Sequence, residues 1–392
     1  MTAILKANWN YPTTVWHGPG RIGDLPLACK VTGIKRPLFV TDAGLKDSAI
    51  VAEAIDLLKG VQSNPSFFSD VKGNPAGANV SAGISAFAAA GCDGVVAMGG
   101  GSALDIGKCI AFMSGQSRPL WDFEDVGDNW TRADASRIAS VIAIPTTAGT
   151  GSEVGRASVI TDEENHEKKI IFHPLMLPKI VISDPELSSG LPPNLTAWTG
   201  MDALAHCLEA FCAPGFHPMA DGIAVEGIRL IGRYLPRAVE NGTDLEARSR
   251  MLAAASMGAA AFQKGLGAIH SISHPVGALY DTHHGLTNAV VMPYVLAFNR
   301  TAIDERISYL STVLNLPKKD FSGFLEWTLE FRERNHVPHS LTALGVDEDR
   351  IGELAEKALR DPSTGGNPKP MTCDDFRHVI RAAIRGRIDE IS

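Results

Sequence analysis

Short apolar, β-forming runs alternate with helical patterns from about residue 36 to residue 183, and nothing beyond that stretch continues the alternation. The extended runs are PLFVTD (37–42), SFFSD (66–70), GVVAMGGGS (94–102), IASVIAIPTT (138–147) and KIVISDP (179–185), with helical stretches near 47–59, 78–90 and 103–113 between them. Such a chain closes into a mainly parallel sheet with helices on both faces, because each parallel return needs a crossover. The punctuation DPELSSGLPPN (184–194) ends the pattern, and the rest reads as helix over about 195–212, 218–240, 244–263, 322–335, 347–360 and 373–386. A length of 392 residues is too great for one ordinary core. The expected fold class is an α/β N-terminal domain with a mainly parallel sheet (1–187) followed by an all-α C-terminal domain (188–392). The segment 8–25, rich in β-formers and turn residues, is expected as a peripheral hairpin or a subunit-contact strand.

Two turns of the first domain carry small and hydroxylated residues. Gly99, Gly100, Gly101 and Ser102 follow the strand VVAM and open the helix ALDIGKCIAF, where backbone amides at a helix N-terminus can cradle a phosphate. A tight strand-to-helix turn would use the same glycines. Asp105, in the first turn of that helix, is counted with them. Asp42 ends the strand LFVT, where a carboxylate can accept from ribose hydroxyls and repel a 2′-phosphate, or simply cap the next helix. The acid precedes the glycines, the reverse of the usual dinucleotide fingerprint. The second turn, PTTAGTGSE (145–153), offers Thr146, Thr147, Thr150 and Ser152 as hydroxyl donors, and Lys168, beside Lys169, adds a cation. These features predict a dinucleotide-binding domain that takes NAD.

The helical half holds a metal-like constellation. Asp202 and His206 lie in TGMDALAHCLEAF, so their i, i+4 spacing puts both on one helix face. His270 and His284 come from HSISHPVGALYDTHHGL, where Pro275, Gly277 and Gly285 are expected to break any single helix, so the two converge through the fold. Three imidazole nitrogens and one carboxylate oxygen suit iron(II) or zinc. His283 competes with its neighbour, and Gly285, which lets backbone pass close to a site, favours His284. His274, one turn from His270, is not needed to complete the set and is the candidate for substrate positioning or proton relay. The six cysteines form no CxxC pair, which argues against a disulfide framework and a thiolate site; Cys207 and Cys212 read as small buried hydrophobes.

A net charge of −8 without a basic run disfavours nucleic acid and anionic membranes as partners. There is no 18-residue apolar run, and the start MTAILKANWNYPTTV lacks a charged n-region before an apolar stretch, so neither a membrane span nor a signal peptide is expected and the location is expected to be cytoplasmic.

The order Asp42, GGGSALD, PTTAGTGSE, DALAHCLEA, HSISHPVG, HHGLTNAVVMPYV resembles the iron-containing, or group III, alcohol dehydrogenases over essentially the whole chain. The resemblance implies a dinucleotide-binding domain before a helical metal-carrying one, and a homodimer or higher homo-oligomer. Its ligand pattern falls on Asp202, His206, His270 and His284, and its cofactor pattern on Asp42, Gly101, Ser102, Thr146, Thr147, Thr150 and Lys168. All four ligand positions are filled, which disfavours the metal-free maleylacetate reductases. It implies NAD, Fe2+ with Zn2+ as the alternative, and a small alcohol or aldehyde as substrate, with hydride passing between the alcohol carbon and nicotinamide C4. A dehydroquinate-synthase-like lyase would want several Lys and Arg beside the ligands, and residues 195–215 contain none. A hydroxyacid-oxoacid transhydrogenase would turn over without added NAD. A metal-storage or scaffold protein leaves both turns of the first domain without a purpose. Phe172, Trp198 and Phe262 are expected only as apolar lining, so the alcohol itself is not specified.

Overall fold

Val95, Val96, Ala97 and Met98 are all inaccessible to solvent, as a strand covered on both faces requires. They form the centre of the first of two units in this computed structural model, which describes residues 7–9, 13–165 and 167–391. The strands are β1 (Ala7–Trp9), β2 (Thr14–His17), β3 (Pro37–Val40), β4 (Ser66–Phe68), β5 (Gly94–Gly99), β6 (Ser140–Pro145), β7 (Ala157–Asp162), β8 (Glu167–Phe172) and β9 (Ile180–Ser183). Seven of them make one sheet in the order β1-β2-β9-β6-β5-β3-β4. Neighbours from β2 to β4 pair in parallel, and β1 is an antiparallel edge.

The period of two sorts the core. Phe39, Val96, Met98, Ile142, Ile144, Ile180 and Ile182 share one apolar cluster with Leu25, Ala28 and Cys29 of α1 (Leu25–Thr32) and Val51, Ala54 and Leu58 of α2 (Ala49–Leu58). Two further crossovers are α3 (Gly77–Ala89) and α4 (Gly101–Met113), and α4 packs on β5, β6 and β7. The chain leaves β3 outward to β4 and then returns to β5 on the other side of β3. The crossover direction therefore reverses between β3 and β5, and the carboxyl ends of strands at such a reversal are where α/β sheets bind ligands.

Two parts of this unit differ from expectation. β2 is hydrogen-bonded to β9 as an internal strand, so only β1 is peripheral; residues 10–12 of the same segment lie outside the described residues. The β7–β8 antiparallel hairpin has no counterpart in the sequence reading, because its charged turn and lysine pair mask a two-residue alternation in which Ser158, Ile160, Asp162 and Ile171 are buried.

The second unit begins at Leu191 and takes in Ala148–Thr150. Its helices are α5 (Pro193–Cys212), α6 (Pro218–Glu240), α7 (Leu245–Ala261), α8 (Ala268–Tyr280), α9 (His284–Val313), α10 (Phe321–Arg334), α11 (Ile351–Arg360) and α12 (Cys373–Arg385), with no strand among its described residues. α5 is buried from Gly200 to Cys212: that stretch is rich in Ala and Leu, and its one polar stripe, Asp202, His206 and Glu209, is buried as well. The expected break between His270 and His284 is present but not at Pro275 or Gly277, which lie inside α8, nor at Gly285, which lies inside α9, as Pro293 does. A buried proline removes one backbone bond at about 3 kcal/mol, and the packing of a helix buried at nearly every residue from Ala268 to Gly277 offsets it. The break falls instead at Asp281, in the left-handed region at φ 51°. No described helix is long and apolar enough to cross a membrane.

Candidate active site

Three helices of the second unit bring the four metal-like residues together. Asp202 and His206 project from one face of α5, His270 from α8, and His284 is the first residue of α9. Asp202 Oδ1 lies 3.9 Å from His206 Nε2, 3.9 Å from His270 Nε2 and 3.5 Å from His284 Nε2. One ligand atom from each residue falls within 4.8 Å of the others. Bonds of about 2.0–2.2 Å let opposite ligands of one ion stand up to ~4.4 Å apart, so the set closes on a first-row ion with shifts of a few tenths of an ångström.

The surroundings act differently on the individual donors. Glu209 Oε2 accepts from His270 Nδ1 at 2.6 Å, and Glu209 Oε1 accepts from the Ile269 amide at 2.7 Å. A proton held on Nδ1 leaves the lone pair of Nε2 facing Asp202. Burial depresses the His206 imidazole to about 4, so it is neutral at physiological pH. For His270 burial alone would act downward, but Glu209 and Asp202 outweigh it and hold its proton affinity above that of an ordinary imidazole. Burial pushes the Cys207 and Cys212 thiols up to about 12, so neither supplies a thiolate. Glu209 was not singled out in the sequence, although it follows His206 by three residues and Asp202 by seven, on the same helical stripe.

The histidine doublet divides its labour. His283 caps α9 by accepting the Leu286 amide at 3.4 Å and lies against Trp198, with ring centroids 5.1 Å apart. His284 joins the ligand set. Between them and α5 the backbones nearly touch: a Cβ on Gly285 would sit 2.3 Å from the Trp198 carbonyl oxygen and 3.0 Å from Asp202 Cβ. His274 stands outside the set. Its Nδ1 donates to Asp361 Oδ2 at 2.8 Å, and its ring stacks on that of His284 at 5.4 Å. Burial would raise the Asp361 carboxyl, but His274 and Ser363 hold it below the usual carboxylate range. Nothing local in the sequence marks Asp361, which lies 87 residues from its partner. Phe262 packs against His206 at 5.1 Å, whereas Phe172 belongs to the first unit beside Trp130 and Arg156.

In the first unit Asp42 and the glycine turn meet at the sheet reversal. Asp42 Oδ1 accepts from the amides of Gly44 and Leu45 at 3.0 and 3.1 Å. Burial pushes its carboxyl up against the opposing pull of these amides. Gly99 has φ 149°, and a Cβ there would lie 2.7 Å from Ala103 Cβ and 2.8 Å from Asp42 Oδ2. Gly100 caps α4, leaving the amides of Gly101 and Ser102 in a first turn that lacks intrahelical acceptors. The Ser102 hydroxyl donates to the Gly73 carbonyl at 2.8 Å. The Thr146 amide donates to the Gly99 carbonyl, and the Thr147 side chain lies 3.5 Å from the position of a Gly100 Cβ.

Four expected cofactor residues stand differently. Ser152 Oγ donates to Asp105 Oδ1, Asp105 Oδ2 accepts from the Val159 amide at 2.9 Å, and Lys108 pairs with Asp105 at 3.1 Å. Asp105 and Ser152 thus fasten the 145–153 turn and β7 to α4 instead of facing outward, because a buried lysine one turn along claims the carboxylate. Thr150 groups with the second unit. Lys168 pairs across the hairpin with Thr161 on its half-buried face, while Lys169, on the other face, bonds Asp162 at 2.9 Å.

The profile described as iron-containing alcohol dehydrogenase matches residues 12–185, and that of the family's C-terminal part matches residues 196–384. The chain is 40% identical over 384 residues to a 4-hydroxybutyrate dehydrogenase of Cupriavidus necator, covering 95% of this chain and 99% of the relative. It is 35% identical to an NAD-dependent methanol dehydrogenase of Bacillus methanolicus, covering 96% and 100%. The crystal structure of a 1,3-propanediol oxidoreductase superposes with a TM-score of 0.90 at 32% identity, covering 94% of this chain and 97% of the other. With the ligand set and the glycine turn at the positions these matches span, the chain belongs to the iron-containing alcohol dehydrogenase family.

Proposed function

We propose that the protein is an NAD-dependent oxidoreductase that interconverts small primary alcohols and aldehydes at a divalent metal held by Asp202, His206, His270 and His284. The observation that carries this reading is the convergence of one carboxylate and three imidazoles, one of them fixed from behind by Glu209. When bound, iron(II) or zinc supplies a Lewis acid for the reacting C–O oxygen. The chain's own residues do the rest. Glu209 keeps the His270 proton on Nδ1. His274, with Nδ1 held by Asp361, has Nε2 as the atom that passes the alcohol proton onward. In the first unit Asp42 receives the ribose hydroxyls, and the Gly101 and Ser102 amides receive the pyrophosphate. The substrate range suggested by the relatives is short alcohols, diols and ω-hydroxy acids. A cytoplasmic location, in keeping with free cysteines, and a homodimer or larger homo-oligomer complete the reading; light scattering of the purified chain giving a monomer mass would remove the latter.

The test is protein reconstituted anaerobically with iron(II) and assayed with NAD across those alcohols. NADH should form with at least one of them. No NADH formation, together with no NADH oxidation by the corresponding aldehydes, would overturn the reading. Native kcat/KM should favour NAD over NADP, and Asp42→Gly should narrow that ratio by relieving repulsion of the 2′-phosphate; a native preference for NADPH contradicts the role given to Asp42.

His274→Ala should lower kcat by a factor on the order of 10 to 1000 while the metal stays bound, and its pH–rate profile should lose one limb. Metal content near zero in this variant would make His274 a ligand instead.

A further inference from the structure

Asn288 lies one turn beyond His284 on α9 and is wholly buried. Its Nδ2 is 2.7 Å from Asp202 Oδ1 and 3.2 Å from both His270 Nε2 and His284 Nε2. One amide nitrogen therefore touches three of the four ligand atoms. Its orientation is fixed by charge: turned over, the amide would set its carbonyl oxygen 2.7 Å from a carboxylate oxygen, where no proton bridges the two. The chosen orientation leaves Asn288 Oδ1 buried without a hydrogen-bond partner among the described residues. A leucine has the same branching at Cγ and would bury no unpaired carbonyl oxygen, but it would take from the buried Asp202 Oδ1 its 2.7 Å donor, so the amide is accounted for by the carboxylate and not by packing.

Resting on the metal site proposed above, we propose that Asn288 is a positioning residue of that site, its amide donating to Asp202 Oδ1 and holding the carboxylate toward the three imidazoles. Asp202 depends on this donor more than the histidines depend on theirs, because a carboxylate on a helix turns freely about its last torsion, whereas His270 is already held by Glu209. The hydrogen bond also draws charge from Asp202, which tunes how strongly that oxygen donates.

The experiment uses the full chain, stripped with a chelator and titrated with zinc(II) against a competing chelator, and separately loaded with cobalt(II) for its visible absorption, which reports coordination geometry. Native protein should bind one ion per chain; if it binds none, the metal reading itself fails, and this proposal with it. Given native binding, Asn288→Leu should weaken zinc affinity by about 10- to 100-fold and alter the cobalt spectrum, a change of coordination that a lower melting temperature by itself would not produce. Asn288→Asp keeps the shape and adds negative charge beside a cation, yet removes the donor; it should fail to restore native affinity. Native affinity and an unchanged cobalt spectrum in Asn288→Leu, or tighter binding in Asn288→Asp, overturns the proposal.

Discussion

His270→Ala is expected to leave the protein with little bound divalent metal and no measurable alcohol-dependent NADH formation. The imidazole removed is fully buried, and its Nε2 is within 3.9 Å of the Asp202 oxygen that faces the other ligands. Losing a ligand should exceed the roughly 10- to 100-fold effect typical of the groups behind ligands. The same change takes from Glu209 its 2.6 Å donor and leaves a buried carboxylate oxygen without it, a penalty of about 1–3 kcal/mol or more. The variant should therefore also melt earlier than native. Elemental analysis beside the assay decides the matter: full activity in a verified metal-free sample would sink the assignment.

Gly285→Ala should do comparable harm by a different route. The added methyl would lie 2.3 Å from the Trp198 carbonyl oxygen, and both partners are backbone in buried helices, so relief requires α9 and α5 to separate. Overpacking of this kind costs typically ~1–3 kcal/mol. Asp202 sits on one of these helices and His284 on the other, so the ligand set spreads as they part. A misplacement of about 1 Å is worth roughly 10²-fold in rate. Zinc affinity and kcat should fall together; a variant that melts lower but binds zinc as native would show that the close approach serves packing alone.

What could be read from residue order follows the range of the interaction that fixes each feature. Asp202 and His206 share a helix face by local spacing, and Glu209 continues the same stripe, so its role was available to the same argument. His270 and His284 were recognisable by chemistry but not by element. Pro275 and Pro293 argue against helix locally, and only the burial of α8 and α9 against the rest of the unit overrides them. The partner of His274 is invisible at short range because Asp361 reaches it from another part of the chain. Asp105 is the opposite case. Its place beside a glycine turn suggests a ligand contact, whereas Lys108, three residues on, was the local sign of an internal pair. The alternating strands of the sheet were legible because β3, β5 and β9 are buried along their whole length, while the β7–β8 hairpin buries only alternate residues among charges.

The ligands of the second unit come from three helices far apart in sequence, a pattern that joins the abundance of an ion to the survival of the fold. An unfolded chain cannot hold Asp202, His270 and His284 near one another, so an ion that binds them acts on the native state alone. Each tenfold rise in free ion above its dissociation constant then adds about 1.4 kcal/mol to the free energy of unfolding. The protein would melt at a temperature that tracks metal supply, and in an iron-starved cell the folded fraction, before any rate of turnover, would be the quantity that falls.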